Sequence, residues 1–234
     1  MAAGREGRTP DATVKRLPVY QRLLDELVRA GNRTISSEQL AELAGVNASK
    51  VRRDLSFLGS FGTRGSGYDT RFLLREIDHA VGADGDWPIV IVGLGNLGRA
   101  LAHSPGFSSR GFRLAGLFDI SPELVGTTVN GVEVRHFDDL TEVTAGSPPA
   151  IGVITTPADA AQWVADRLLE LGAGSLLSFA PRVLTVPRHV VVRYVDLSTE
   201  LEVVSFYLSH RLEADLEAAG TVPQPEGTNG AGRA

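Results

Sequence analysis

The chain has no cysteine among its 234 residues. Disulfides are excluded, and so is a thiol switch, so any response to redox state has to come through a bound ligand. No apolar run approaches the roughly 18–20 residues that a membrane span needs. The first ten residues lack the apolar core of a signal peptide, and a soluble cytoplasmic protein is the expectation. Histidine is sparse: His79, His103, His136, His189 and His210 are scattered along the chain, so neither a metal site nor a histidine acid/base pair is expected.

The chain is long enough for one large domain or two modest ones. Its net charge of -5 hides an asymmetry. Residues 1–84 hold 13 Lys and Arg against 11 Asp and Glu, whereas 85–234 hold 10 against 17. The excess sharpens over 45–75, where Lys50, Arg52, Arg53, Arg64, Arg71 and Arg75 face only Asp54 and Asp69. A basic segment in an acidic chain suggests a polyanionic partner at one end.

The most informative stretch begins at Trp87, where an apolar run of strand length enters Gly93-Leu94-Gly95-Asn96-Leu97-Gly98. A helix-suited segment, Arg99-Ala100-Leu101-Ala102, follows. In a strand-turn-helix that holds a pyrophosphate, Gly93 permits the tight turn, Gly95 the close approach of phosphate, and Gly98 tight helix-strand packing. By itself the pattern is weak, because the chain has 26 glycines. Asp119 strengthens it, ending the next apolar run where the fingerprint wants a carboxylate for the adenosine ribose and against a 2′-phosphate. The alternative for Asp119 is a helix cap ahead of Ser121-Pro122.

Towards the N-terminus, residues 1–12 read as a disordered arm. Leu17, Tyr20, Leu24, Leu27 and Val28 recur at helical spacing, and Pro18 places the start of the regular helix near itself. Ser36, Ser37, Glu38 and Gln39 fit a capping box, Gly45 a stop, and Asn47 a cap for the next helix. Two short helices about a glycine turn describe a helix-turn-helix. In the second, over 48–58, Ala48, Val51, Leu55 and Leu58 share one stripe. Ser49, Arg52, Arg53 and Ser56 face the other way, flanked by Lys50 and Phe57. Such a face suits a DNA major groove, although it also describes a merely solvated helix. The glycine-rich stretch 60–68, carrying Arg64, Gly65 and Gly67, suits a wing along the phosphate backbone; its alternative is a plain connection.

A further helix over 70–81 and the polar linker 82–86 end this unit. Beyond it, strands alternate with helices, which indicates a mostly parallel sheet. Ligands bind at the carboxyl ends of such strands, so Thr155, Thr156 and Pro157 and then Phe179, Ala180 and Pro181 join Gly93 and Asp119 at one rim. These two turns are the expected surroundings of a nicotinamide, with Phe179 equally suited to a core. The last helix, about 199–219, is apolar at its start and either packs on its own domain or covers a partner subunit. Residues 220–234 read as a disordered tail.

The combination of Ser36 to Leu40, Val51-Arg52-Arg53-Asp54-Leu55-Ser56-Phe57, the 59–68 stretch and Ile91 to Gly98 resembles the Rex family of redox-sensing transcriptional repressors. The wing stretch and the Asp54-Leu55-Ser56 segment are its more specific parts. The resemblance runs over about 14–219 and implies an α/β chain: a winged helix-turn-helix domain over 13–84, a doubly wound Rossmann-like domain over 85–198, and a domain-swapped helix over 199–219. It implies a homodimer on a palindromic operator, reading NADH against NAD+, with NADH favouring release. In this family an Arg, a Tyr and an Asp link the domains. The matching positions are Arg22, Ser104 and Asp196, so the chain departs from the family at the tyrosine.

Two rival functions remain on the residues alone. An NAD-dependent dehydrogenase needs a substrate domain, and only 37 residues follow Leu197. A CoA- or nucleotide-binding interaction module would not need the basic face at Arg52 and Arg53. The expectation is a repressor that is not an enzyme, with NAD(H) as its ligand, and with no membrane and no metal among its partners.

Overall fold

A computed structural model describes residues 9–59 and 67–218, with side chains described through residue 211. The first helix, α1 (Asp11–Arg29), begins within the expected arm and carries Pro18 in its interior. Sequence reasoning placed the helix start too late. A proline removes the bond to the carbonyl four residues back and crowds that carbonyl, which can kink a helix without ending it. That residue, Val14, lies on the exposed side of the helix, 48 % exposed. The turn ahead of Pro18 is also held from outside, by Thr13 and Arg16 bonding Asp54.

Strand β1 (Thr34–Ile35) and helices α2 (Ser37–Leu43) and α3 (Ala48–Ser56) follow. The capping box forms: the Gln39 N–H donates to Ser36 Oγ at 3.1 Å, and the Ser36 N–H to Gln39 Oε1 at 2.9 Å. Asn47 caps α3 by accepting from the Lys50 N–H at 2.8 Å. Helix α3 stops at Ser56, two residues before its expected end. Strand β2 (Tyr68–Asp69) pairs antiparallel with β1, and α4 (Thr70–Val81) packs across α1. Leu17, Tyr20, Leu24, Ile35, Leu40, Val51, Leu55, Leu73 and Ile77 form one buried cluster.

The rest of the chain builds a seven-stranded sheet. Its strands are β3 (Trp87–Val92), β4 (Phe112–Asp119), β5 (Thr128–Val129), β6 (Val132–His136), β7 (Ile151–Ile154), β8 (Ser175–Ser178) and β9 (Val191–Tyr194). Their spatial order is β5-β6-β4-β3-β7-β8-β9, and every pair but β5–β6 is parallel. Without β5 this is the 3-2-1-4-5-6 order of a dinucleotide-binding fold, whose switch point lies between its first and fourth strands, here β3 and β7. Strand β5 went unpredicted, although its signal was present. Asn130-Gly131 takes positive φ at both residues (50° and 77°), as a two-residue hairpin turn requires.

Both faces of the sheet are covered, and alternate residues of β3 serve opposite sides. Val90 and Val92 pack with Phe118, Ile154 and Leu176 beneath α8 (Ala158–Glu170), which contributes Ala161, Val164, Ala165 and Leu168. Ile91 packs with Leu117, Val134 and Val153 on the side of α5 (Asn96–Ala102). The short helices α6 (Pro105–Ser108) and α7 (Leu140–Thr144) complete the layers.

The terminal helix α9 (Leu197–Ala218) begins two residues before its expected start. Leu201, Val203, Val204, Phe206, Tyr207 and Leu208 are each 47–68 % exposed, so nothing among the described residues covers them. No helix among the described residues is long and apolar enough to cross a membrane.

Candidate nucleotide cleft and nucleic-acid interface

At the carboxyl end of β3 the three glycines meet three different demands. Gly93 sits at φ +97°, and a Cβ there would come within 2.9 Å of the Thr155 backbone. Its N–H donates to the Phe118 carbonyl at 2.8 Å, which ties the turn to β4. A Cβ on Gly98 would fall 1.9 Å from the Gly93 carbonyl oxygen, so α5 can lie on the turn only with glycine there. A Cβ on Gly95 would meet nothing within 4 Å; the space beside it is open. Asn96 and Leu97 continue into α5, and Asn96 accepts from Arg99 Nη2 at 3.1 Å.

Asp119, at the end of β4, turns both carboxylate oxygens inward. Oδ2 accepts from the Leu94 N–H, and Oδ1 from the Ser121 N–H at 2.8 Å. The bond to Ser121 resembles the capping alternative, but no helix follows. A carboxylate has about four acceptor sites, so capacity for ribose hydroxyls remains. Thr155 Oγ1 lies 2.6 Å from the Gly93 carbonyl and 3.0 Å from that of Val92, bracing the turn. The neighbouring Thr156 Oγ1 is buried without a hydrogen-bond partner among the described residues.

These groups border a cleft of about 480 Å³. It is lined by Gly93, Gly95, Asp119, Thr155, Thr156 and Pro157, and by an apolar group that sequence reasoning missed: Ile120, Leu124, Phe137, Ala160, Trp163 and Val164. Ile120 could have been found as the residue after the acidic strand end. Phe137 and Trp163 meet only through the fold. Phe179, Ala180 and Pro181 do not line this cleft. Phe179 packs with the cluster around Ile91 and Leu117, Ala180 is buried, and Pro181 is exposed beyond β8. A dinucleotide fits what is present: an open approach at Gly95, a carboxylate at the β4 end, an unpartnered hydroxyl at Thr156 and an apolar chamber beyond.

His103 does not line the cleft, and its Nδ1 is hydrogen-bonded at 2.8 Å to the Arg99 carbonyl of its own helix. Among the described residues no group of His, Asp and Glu could hold a metal.

On α3, Ser49, Lys50, Arg52, Arg53 and Ser56 are exposed together, opposite buried Val51 and Leu55. Arg52 is drawn sideways onto Glu38 of α2 at 2.9 Å, and Ser56 Oγ donates to the Arg53 carbonyl at 2.7 Å. Two other expected contact residues are placed differently. Ser37 is buried, its hydroxyl donating to Glu38 at 3.3 Å, and the Ser36 hydroxyl is engaged in the α2 cap. Arg64 and Gly65, with most of the expected wing, lie outside the described residues. Gly67 is described, at φ +73°, where a Cβ would press to 2.6 Å on the Ile35 carbonyl oxygen.

Beneath the exposed face lies Asp54, which the sequence marked as one of the two acids of 45–75 and as part of the more specific family segment, but with no partner. Asp54 is buried and accepts from Thr13 Oγ1 at 2.8 Å, Arg16 Nε at 2.6 Å, Arg16 Nη2 at 2.8 Å and the Tyr20 hydroxyl at 2.9 Å. Burial is the largest single influence on Asp54 and opposes its charge. The hydrogen bonds from Arg16, Thr13 and Tyr20 together outweigh it and hold the carboxyl below its ordinary range. Burial, and then the bond to Asp54, push the Tyr20 phenol up to about 12.

Of the interdomain residues, Arg22 is exposed on α1. Asp196 caps α9, accepting from the Ser198 N–H at 2.9 Å, and among the described residues no hydrogen bond or ion pair joins it to Arg22. Ser104 precedes α6 without making a side-chain cap bond. Instead, Arg193 of β9 reaches Asp11 at the start of α1, at 3.4 Å.

Comparison with known proteins places these features. Residues 8–56 match the family model described as a putative DNA-binding protein N-terminus, and 84–182 that of a CoA binding domain. The redox-sensing transcriptional repressor Rex of Streptomyces avermitilis is 50 % identical over 230 residues, covering 95 % of this chain and 91 % of that one. Two solved structures of RSP, a Rex-family repressor, superpose over almost the whole fold. Its complex with β-NAD+ and operator DNA matches at TM-score 0.81 and 38 % identity, covering 89 % of this chain and 97 % of that one. Its complex with β-NADH matches at 0.82 and 36 %, covering 90 % and 100 %. Relatives matched over most of the chain are repressors, which sets the dehydrogenase reading aside. With a helix-turn-helix ahead of a dinucleotide-type sheet and this similarity from end to end, the chain belongs to the Rex family of redox-sensing transcriptional repressors.

Proposed function

We propose that this chain represses transcription by binding a palindromic operator and that NADH, in competition with NAD+, releases it. One observation carries the reading: an exposed Ser49, Lys50, Arg53 face and an open dinucleotide cleft occur on one chain, in a family whose solved members hold operator DNA and NAD+ or NADH. A ligand shifts such an equilibrium only through its different affinity for the two states. The dinucleotide is therefore read here, and its binding residues have no reaction to perform.

In this reading Gly93, Leu94, Gly95, Asn96, Leu97 and Gly98 take the pyrophosphate, Asp119 the ribose, and Thr155, Thr156 and Pro157 the passage to the nicotinamide. Phe179, Ala180 and Pro181 stand at the far end of the same rim. Asn47, Ser49, Lys50, Arg52, Arg53 and Ser56 face DNA, with Arg64, Gly65 and Gly67 as the wing. The working boundaries are 13–84 for DNA, 85–198 for the dinucleotide and 199–219 for dimerisation, in the cytoplasm. The bare apolar start of α9 supports a homodimer in which that helix is exchanged. Two recognition helices must sit about one DNA turn apart, roughly 34 Å, so a modest domain rotation suffices for release. In the dimer Arg22 and Asp196 are proposed to meet across the interface, without a tyrosine at position 104.

The test is binding to a palindromic DNA as NADH is titrated at fixed NAD+ and stated salt, since DNA affinities depend steeply on salt. Loss of binding as NADH rises is the expected result. Binding indifferent to NADH, or reversed by CoA instead, would defeat the reading.

A further inference from the structure

The apolar half of the cleft has an unusual wall. Trp163, on α8, is 51 % exposed, yet its ring leans on Phe137 with centroids 4.6 Å apart at 52°. Phe137 itself is only 3 % exposed, so the indole rests on a fixed support. Ile120 and Leu124 line the cleft beside it, and Asp119 marks where the adenosine ribose would sit. An indole propped in place with its surface open at a cleft mouth is a stacking platform for a flat ring. Ile120, Leu124, Phe137, Ala160 and Val164 offer no polar side-chain atom, so shape and stacking select the base here.

Resting on the proposed dinucleotide reading, we infer that Trp163 is the platform for the adenine of NAD(H) and sets the affinity for NADH and NAD+ by the same factor. The adenosine half is chemically identical in the two redox forms, and only the nicotinamide differs. Contacts confined to the adenine therefore cannot discriminate between the forms. While the site is saturated, the fraction holding NADH depends on the concentration ratio and on the ratio of the two affinities. Both are independent of Trp163. What Trp163 controls is the total pool at which the site stays filled. The sensor thus has two separable settings, a ratio fixed at the nicotinamide end and a pool threshold fixed at Trp163.

Calorimetric titration of the full chain with NADH, NAD+ and ADP-ribose tests this on wild type, Trp163→Ala and Trp163→Phe. Removing a base-stacking ring weakens binding by roughly tenfold. Trp163→Ala should therefore bind all three ligands about tenfold more weakly, with the ratio of NADH to NAD+ affinities unchanged within about twofold. Trp163→Phe, which keeps a ring on Phe137, should fall between the alanine variant and wild type for all three. A loss confined to one redox form, or ADP-ribose binding untouched in both variants, would overturn the inference. Wild type that binds none of the three would instead defeat the dinucleotide reading itself.

Discussion

The two halves of the chain handle buried polarity in opposite ways. The N-terminal unit sinks a carboxylate, Asp54, into its interior and saturates it with four hydrogen bonds from α1. The sheet domain buries no charge among the described residues, and at its rim Thr156 Oγ1 lacks a partner among them and Gly95 faces open space. A saturated buried charge fixes one geometry, because every departure leaves it unpaired. That suits a recognition helix whose angle to α1 must not drift. An unsaturated rim suits a ligand site, whose last bonds come from the ligand.

The contrast breaks most severely at Asp54. Asp54→Ala leaves Arg16 and Tyr20 without their acceptor, and because Arg16 is partly exposed the cost lies at or below the roughly 3–5 kcal/mol of a fully buried pair. Urea unfolding should show the N-terminal unit melting early, while NADH binding survives. The pH dependence follows from the same group. Asp54 has a depressed folded value, so its contribution is present above about pH 4 and is lost as pH falls through that value. Tyr20 is raised from 10.0 to about 12. Its contribution is complete below pH 10 and is lost as pH rises towards 12. Tyr20→Phe should abolish that alkaline decline.

Next in size is a pair of glycine substitutions. Gly98→Ala drives a Cβ into the Gly93 carbonyl, which is backbone and cannot swing aside. A loss of about 1–3 kcal/mol is expected, together with the loss of dinucleotide binding. Gly95→Ala meets nothing, so thermal stability should change by less than about 1 kcal/mol, while NADH affinity drops by an order of magnitude or more. Equal destabilisation by both would erase the distinction between packed and open glycines.

The smaller effects concern single contacts. Arg53→Ala should weaken operator binding by about 1–3 kcal/mol, measured by fluorescence anisotropy, with NADH affinity intact. Arg52→Ala should cost less, because Arg52 is shared with Glu38. Asp119→Ala should weaken NAD(H) roughly tenfold and narrow the preference over NADP(H). Unchanged discrimination would remove Asp119 from the ribose.

Local signals were legible in the sequence because each rests on neighbours. The Ser36–Gln39 box, the Asn47 cap, the positive φ of Gly93 and the packing of Gly98 on the Gly93 carbonyl follow from backbone needs within a few residues. Strand-helix alternation gave the parallel sheet for the same reason. Asp54 was not legible, because its partners at positions 13, 16 and 20 lie one α1 face away and some forty residues back. A buried carboxylate is improbable until those donors are seen converging on it. The helical angle did carry a hint, since Asp54 follows buried Val51 by three positions. The apolar half of the cleft was hidden likewise, because Phe137 and Trp163 come from separate connections. Pro18 misled because a rule about one lost hydrogen bond was read as a boundary.

The central claim is that two separately built units share one equilibrium. Such coupling is reciprocal: if NADH weakens operator binding by some factor, operator must weaken NADH binding by that factor. The direct measurement is NADH affinity of the full chain with and without saturating operator DNA, at one salt concentration. A weakening on the order of 5- to 150-fold is expected, equal to the loss of operator affinity that NADH causes. NADH affinity indifferent to operator would contradict it.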